Sequence, residues 1–343
     1  MATIEDVAKR AGVSRMTVSR VINNTGYIKQ ETKERVLDAI EDLKYRPNRV
    51  AKMLVTRVNR TIAHVMVNIS DPFHNMVNQG FESVAFRSQY TTMMCDAHSP
   101  SRANDYINLF LENRMGGVVF HHLAITAEQV QELEEGGVHC VLMDNEQDIP
   151  DVSAVNTDNR AGGAMAAEYL VSKGHRRIAC VHGVLSRPEG DDIPYEDTFQ
   201  FRLWQERTQG FTEAMRRLGV EPAGYFQSNG LFQSAERLAG GIVDELLGAE
   251  NRATAIYCEN DIIAVSILNE LQKRGMRVPE DFAVVGHDGL DLCRMRHPHI
   301  TTIAQPRYEM GRAAAELLIG HIEKRRDKET VVLMPKLVIG GTA

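Results

Sequence analysis

Arg15, Met16 and Arg20 are the residues of this chain best placed to do chemistry on a partner. They fall at the start of a short amphipathic segment, and one turn along it, just after a tight Gly12-Val13 turn. A guanidinium can donate two parallel hydrogen bonds to O6 and N7 of guanine, and an apolar side chain can meet a thymine methyl group. Residues early in the second helix of a helix-turn-helix reach base edges in the major groove. Thr3, Ser14, Thr17, Ser19 and Asn23 add short polar groups to the same stretch, suited to phosphate or base contact.

The elements that must hold these residues are legible in the run TIEDVAKRAGVSRMTVSRVIN, Thr3 to Asn23. Ile4, Val7, Ala8 and Ala11 recur at i, i+3, i+4 and i+7, which predicts one buried helical face. Thr3 with Asp6 three residues later has the form of a capping box. Gly12 suits a turn that needs positive φ, and Ser14 suits the cap of a second helix with Val18, Val21 and Ile22 inside. A third helix repeats the spacing with Val36, Ala39, Ile40 and Leu43. Residues 1–60 carry 13 Lys+Arg against 7 Asp+Glu, net +6; subtraction from the totals of 39 and 46 leaves 26 and 39, net −13. A basic head on an acidic body predicts salt-sensitive binding to nucleic acid by the head.

Between head and body lies a short loaded segment. Pro47 stops the third helix, Asn48 is a good cap for a further short helix, Arg49, Lys52 and Arg57 supply charge, and Val50, Met53 and Leu54 form an apolar stripe. So short a helix is marginal alone, so it is expected to order against DNA and a symmetry mate.

The first run followed by YRPNRVAKML resembles the lactose/galactose repressor (LacI/GalR) family. The resemblance implies a helix-turn-helix domain over 1–46, a hinge helix and linker over 47–59, and a ligand-binding and dimerisation domain over 60–343. It implies that two hinge helices enter the minor groove together, that Asn48, Arg49 and Ala51 lie at that contact, and that Leu54 wedges into the central base step. Such a wedge exchanges stacking for a bent, better-wrapped duplex. One departure is Lys29, where the family usually has Ser or Thr, so the cap of the third helix is in question.

The body alternates strand-like and helix-like runs. Apolar β-rich stretches fall at 62–67, 91–95, 118–120 and 140–143, and again at 178–181, 255–258, 282–285 and 301–303, with helical patterns between them, for example 161–172 and 262–274. This predicts two doubly wound parallel sheets with a ligand cleft at the carboxyl ends of the strands. GGVVFHH, KGHRRIACVHG, VPEDFAVVGHDGLD and ITTIAQP extend the resemblance over the body, whose family fold is that of periplasmic sugar-binding proteins. It implies three crossings between lobes, with the first lobe about 60–158 plus 290–323 and the second about 159–289 plus 324–343.

By matching position the resemblance assigns Asp71, Phe73, His74, His121, Asp144, Arg207, Asn260, Asp288 and Gln305 to an effector cleft. Carboxylates, a guanidinium and amides together can satisfy a polyhydroxylated ligand. The competing readings are structural: Asp144 pairing with Arg207, and Asn260 capping a helix that starts near Asp261. The stretch Leu185 to Glu206 is longer than the family usually has; it is either a solvated loop or a lid through which Arg202 or Trp204, the only Trp, reaches the ligand.

Other chemistries find little support. Cys95, Cys140, Cys180, Cys258 and Cys293 form no CxxC and sit mostly in apolar strands, as reduced core thiols do. His121 and His122 are adjacent and would face opposite ways on a strand, and His297-Pro298-His299 lacks helical ligand spacing, so no metal is expected. Neither GxxxxGK[ST] nor GxSxG occurs, and Gly162-Gly163 and Gly240-Gly241 are too weak to mark a nucleotide site. No enzyme activity and no cofactor is expected. Residues 1–20 do not read as a signal peptide and no apolar run reaches membrane-spanning length, so a cytoplasmic location without membrane association is expected. The expectation is a DNA-binding transcription regulator, a repressor, acting as a homodimer on a palindromic operator. It is controlled by a small-molecule effector, with carbohydrate favoured over nucleobase. Without a leucine heptad tail, a dimer is expected over a tetramer.

Overall fold

In the computed structural model the chain forms two units, Met1–Asn59 and Arg60–Ala343. The structure describes residues 2–46, 59–97, 100–145, 149–184, 201–229, 232–248 and 252–343. The hinge positions Asn48, Arg49, Ala51 and Leu54, and most of the Leu185–Glu206 stretch, lie outside the described residues.

The first unit is three helices, α1 (Ile4–Ala11), α2 (Arg15–Asn23) and α3 (Gln30–Asp42). Val7, Ala8, Ala11, Val18, Val21, Val36 and Ala39 form its core. The Thr3 hydroxyl accepts from Asp6 N while Asp6 reaches back to Thr3 N, closing the expected box. Gly12 ends α1 at φ 66, and Ser14 Oγ accepts from Thr17 N to start α2. Lys29 gives α3 no side-chain cap, as its side chain has no acceptor to offer.

The second unit contains two six-stranded sheets. With β1 (Thr61–Met66), β2 (Thr91–Asp96), β3 (Gly117–His121), β4 (His139–Met143), β5 (Ser153–Thr157) and β11 (Thr330–Leu333), the first has the order β11-β5-β4-β3-β1-β2. With β6 (Ile178–Val184), β7 (Gly224–Asn229), β8 (Ala255–Cys258), β9 (Ala283–Asp288), β10 (Thr301–Ala304) and β12 (Lys336–Val338), the second has the order β12-β10-β9-β8-β6-β7. Every strand pairing is parallel except β10 with β12, which is antiparallel. The helices that cover the sheets include α4 (Phe73–Arg87), α5 (Pro100–Glu112) and α6 (Ala127–Glu135) beside the first. Beside the second are α7 (Asn159–Ser172), α8 (Phe201–Arg217), α9 (Phe232–Gly248), α10 (Asp261–Lys273) and α11 (Leu292–Met295). The last helix, α12 (Arg307–Ile322), returns to the first sheet and sets Leu318 against Gly117 of β3.

The chain passes between sheets three times: after β5, after β10, and between β11 and β12. Two lobe limits therefore differ from the sequence expectation. Residues 290–304 end in β10, which pairs with β9 and belongs to the second lobe, not the first. Residues 330–333 pair with β5 and belong to the first lobe, not the second. The reason is that VVLMPKLVI reads as one apolar run, yet Pro335 has no N–H to continue a ladder; the run divides there into β11 and β12, one for each sheet.

Two pairs of glycines set the helix packing. A Cβ on Gly163 of α7 would lie 2.0 Å from Arg207 O, and one on Gly210 of α8 would lie 1.9 Å from Arg160 O. The two backbones approach so closely because neither carries a side chain there. Gly80 and Gly311 do the same between α4 and α12. Gly162-Gly163, featureless as a nucleotide motif, is thus part of what places Arg207.

Candidate functional site

On the first unit, the face of α2 away from the core presents Arg15, Met16 and Arg20, all exposed, with Met16 65% exposed. Such exposure of a large apolar side chain at a helix start suits contact with a partner surface. Arg15 has Glu5 4.0 Å away, an exposed pair worth little and easily exchanged for phosphate or base. Thr3 and Ser14 hydroxyls are engaged in caps, and Ser14 Oγ lies 3.0 Å from Thr17 Oγ1. Asn23 Nδ2 donates to Ser19 O at 2.8 Å.

In the second unit, Arg207 on α8 is the hub of a buried network. Its Nε donates to Asn159 Oδ1 at 2.9 Å, its Nη1 donates to Glu259 O, and the same Nη1 lies 3.2 Å from Asp288 Oδ1. Asp288 also accepts from Asn260 Nδ2 at 3.0 Å and Gln305 Nε2 at 2.9 Å. Burial pushes the Asp288 carboxyl upward, and the Arg207 guanidinium is the largest opposing influence. Asn260 has two roles at once: its Oδ1 accepts from Ile262 N and Ile263 N to cap α10 while its Nδ2 holds Asp288. Asp144 and Arg207 do not pair with each other. The backbone of Asp288 sits at φ 104, a strained value for a residue with a Cβ. Behind it, Asp261 accepts from Thr302 Oγ1 and Leu290 N, both at 2.7 Å, and burial together with the Asp288 charge pushes its carboxyl upward.

Across the cleft, β1, the end of β3 and the first turn of α4 bring together imidazoles. His121 is the last residue of β3, and His122 succeeds it at φ 55. That left-handed turn breaks strand alternation, so the two rings lie on the same side with centroids 4.2 Å apart, contrary to the opposite-facing expectation. His74, in the first turn of α4, places its ring 4.7 Å from that of His121, and Phe73 packs against both His121 and His122. His74 is thus buried within this cluster rather than offering a stacking face. His64 on β1 lies behind His121, with Nε2 3.3 Å from His121 Nδ1 and Nδ1 2.8 Å from Asn78 Oδ1. Burial lowers His64 to about 4 and holds His74 and His121 well below the ordinary range, so all three are neutral. Asp144, at φ 43 just after β4, accepts from Thr157 N at 2.7 Å through Oδ1 and turns Oδ2 toward His122 Nε2 at 3.6 Å.

Asp71 closes the loop before α4: its Oδ1 accepts from Phe73 N at 2.8 Å, and burial pushes its carboxyl up to about 6. Arg307, at the start of α12, joins the lobes by donating to Gly289 O at 2.6 Å and reaching Pro72 O at 3.5 Å.

A cavity of about 200 Å³ opens between the ends of β4 and β5 and the first turns of α7 and α8. Asp144, Asn156, Asn159, Arg202 and Glu206 supply its polar wall, and Leu142, Val152 and Leu203 its apolar one. Arg202 faces this cavity, whereas Trp204 is 7% exposed and is not part of its wall; helical spacing from Arg202 turns it toward the core. Sequence reasoning missed Asn159, Glu259 and Arg307, all partners of distant residues. Only His122 carried a local signal, and strand alternation misplaced it.

These geometries find counterparts in known proteins. Residues 3–48 match the model for bacterial regulatory proteins of the lacI family, and residues 167–343 match a periplasmic binding protein-like domain. The HTH-type transcriptional repressor PurR of Vibrio vulnificus (strain CMCP6) is 32% identical over 100% of this chain and 98% of its own length. PurR of Aliivibrio salmonicida (strain LFI1238) is 30% identical over 98% of each chain. Among solved structures, the transcriptional regulator CelR–cellobiose complex matches over 100% of both chains with TM-score 0.71 and 29% identity. The lac repressor dimer bound to operator and the anti-inducer ONPF matches over 99% of this chain and 98% of its own with TM-score 0.83, at 22% identity a likeness of fold alone. A capped helix-turn-helix unit joined to a two-sheet α/β body of this kind defines a DNA-binding transcription regulator. The chain belongs to the lacI family of bacterial regulatory proteins. No helix among the described residues is long and apolar enough to cross a membrane.

Proposed function

We propose that this regulator is a repressor that binds a palindromic operator as a homodimer and takes a small-molecule effector in the cleft between its two sheets. The observation that carries the reading is the cavity beside the Arg207 network: its polar wall of carboxylates, amides and a guanidinium includes Asp144, held in place by Thr157 N, and Asn159, held by Arg207. Fixed donors and acceptors around an apolar floor are what a small polar ligand needs for orientation. At about 200 Å³ the space is smaller than the roughly 300–1,000 Å³ of drug-sized sites, which suits a single sugar ring or one nucleobase. Carbohydrate is favoured, because mixed carboxylate and amide walls match paired hydroxyls and because the full-length neighbour CelR is a complex with cellobiose.

Operator binding is assigned to Thr3, Ser14, Arg15, Met16, Thr17, Ser19, Arg20 and Asn23, with the hinge positions Asn48, Arg49, Ala51 and Leu54 expected at the minor groove. Effector binding is assigned to Asp144, which lines this cavity, and to Asp71, His121, Arg207, Asn260, Asp288 and Gln305, which lie outside its lining. Control arises by linkage: the effector shifts DNA affinity only by its differential affinity for the two lobe arrangements.

A thermal-shift screen of the full-length protein against sugars, sugar phosphates and nucleobases tests the ligand class, and sedimentation with operator DNA tests the dimer. Stabilisation by a sugar and two chains per palindrome are expected. Stabilisation by a nucleobase alone overturns the carbohydrate reading, and one chain per site overturns the dimer.

A further inference from the structure

We propose that the imidazole cluster at the ends of β3 and β4 is a binding site for a divalent transition-metal ion of the zinc class, held by His121, His122 and Asp144. One donor atom from each of His121, His122 and Asp144 lies within 4.8 Å of the others. The proposal rests on this cluster and not on the identity of any organic effector.

Hydrogen bonding determines where the lone pairs are. Asn78 donates through Nδ2 to Met66 Sδ, so its Oδ1 is the acceptor facing His64 Nδ1. His64 must then carry its proton on Nδ1 and accept at Nε2, and His121 must donate from Nδ1. His121 Nε2 is left as a bare lone pair. It is fully buried and has no hydrogen-bond partner; the same holds for His74 Nδ1, and His122 Nε2 is also unpartnered. Three buried, unpartnered imidazole nitrogens in one cluster are costly unless something with empty coordination sites occupies the space between them.

The chain behind His121 is what a metal-bound histidine requires. The non-ligating nitrogen of such a residue is ordinarily hydrogen-bonded to an outer partner that fixes tautomer and ring orientation, and here His64 and Asn78 form that partner. Asp144 is held in the same way: Thr157 N fixes Oδ1 and leaves Oδ2 directed at the cluster. The separation of 3.6 Å between Asp144 Oδ2 and His122 Nε2 is too long for a hydrogen bond. It matches the edge of a tetrahedron with metal–ligand bonds of about 2.0–2.2 Å, which is about 3.3–3.6 Å. Neutral imidazoles with one carboxylate match a borderline ion such as Zn²⁺ or Co²⁺ rather than Mg²⁺ or Ca²⁺, which favour all-oxygen shells.

The test uses tag-free full-length protein titrated with Co²⁺, monitored by its visible absorption, and then with Zn²⁺ as competitor. One Co²⁺ per chain is expected, with the intense bands of a four-coordinate nitrogen/oxygen site that Zn²⁺ abolishes. His122→Asn keeps a residue that tolerates positive φ, and Asp144→Asn keeps an acceptor for Thr157 N; each should remove the bands while circular dichroism shows a folded chain. His64→Gln, which alters only the outer partner, should weaken Co²⁺ by about 10- to 100-fold. Weak octahedral absorption in the native protein overturns the site, as do bands that persist in both folded variants. The native spectrum tests the geometry even where a variant fails to fold.

Discussion

Arg207 Nη1 lies 3.2 Å from Asp288 Oδ1, both side chains buried, with the guanidinium also held by Asn159 and the Glu259 carbonyl. The ion pair joins α8 to the carboxyl end of β9 and is the most heavily desolvated charge pair in the cleft. Removing one partner leaves the other charge buried alone. Arg207→Ala is therefore expected to lower stability by about 3–5 kcal/mol, read by urea denaturation, and to abolish the effector response. Adding Asp288→Asn should recover part of that loss, because no uncompensated charge then remains; a fully additive second loss would show that the pair is not coupled.

The close approach of α7 and α8 positions this arginine. A Cβ at Gly163 would meet Arg207 O at 2.0 Å, so Gly163→Ala must separate the helices. We expect a loss of roughly 1–3 kcal/mol with a weakened effector response. Gly241→Ala in α9, where nothing lies within 4 Å of the new methyl, should instead gain up to about 1 kcal/mol from helix propensity. Thermal unfolding of the two variants distinguishes a packing requirement from a general intolerance of alanine.

Asp71 gives a pH dependence of known sign. Burial pushes its folded carboxyl up to about 6, whereas the unfolded group titrates near 3.9. Between these values the folded chain binds more protons than the unfolded one, so this group's contribution to stability falls as pH rises from about 4 to about 6 and is constant beyond. Asp71→Asn keeps an Oδ1 to accept from Phe73 N and removes the titration. Its stability relative to the native protein should rise across that window by on the order of 1–2 kcal/mol, a figure tempered by the residue's partial exposure. A flat difference between pH 4 and 7 would mean that Asp71 titrates normally.

On the exposed face of α2 proposed to bind the operator, Arg15→Ala and Arg20→Ala should each relax preference at one operator position by about 1–3 kcal/mol, measured by competition among single-base operator variants. A uniform loss across all sequences would make them phosphate contacts instead.

What was legible in the chain divides by range. Thr3 with Asp6 and Ser14 with Thr17 are contacts within one turn, so spacing alone shows them. The second role of Asn260, as a donor to Asp288, depends on a residue far along the chain and leaves no local pattern. Arg307, which reaches both Pro72 and Gly289, was invisible for the same reason. His121-His122 shows a different failure: the period-two rule holds within β3 but not one residue beyond it, where His122 turns to φ 55. Likewise, burial on both faces made the strands easy to find, while the edge strands β11 and β12, half-exposed and short, gave no cue to which sheet each joins.

A ligand between the sheets is proposed to control DNA binding. The direct measurement is fluorescence anisotropy of the full-length protein on DNA from its own upstream region, at fixed salt, with and without the compound that most stabilises it. The expected result is a shift in operator affinity, about 5–150-fold for a coupling of typical size, that disappears in Arg207→Ala. An operator affinity unchanged by a saturating, stabilising ligand would contradict the claim.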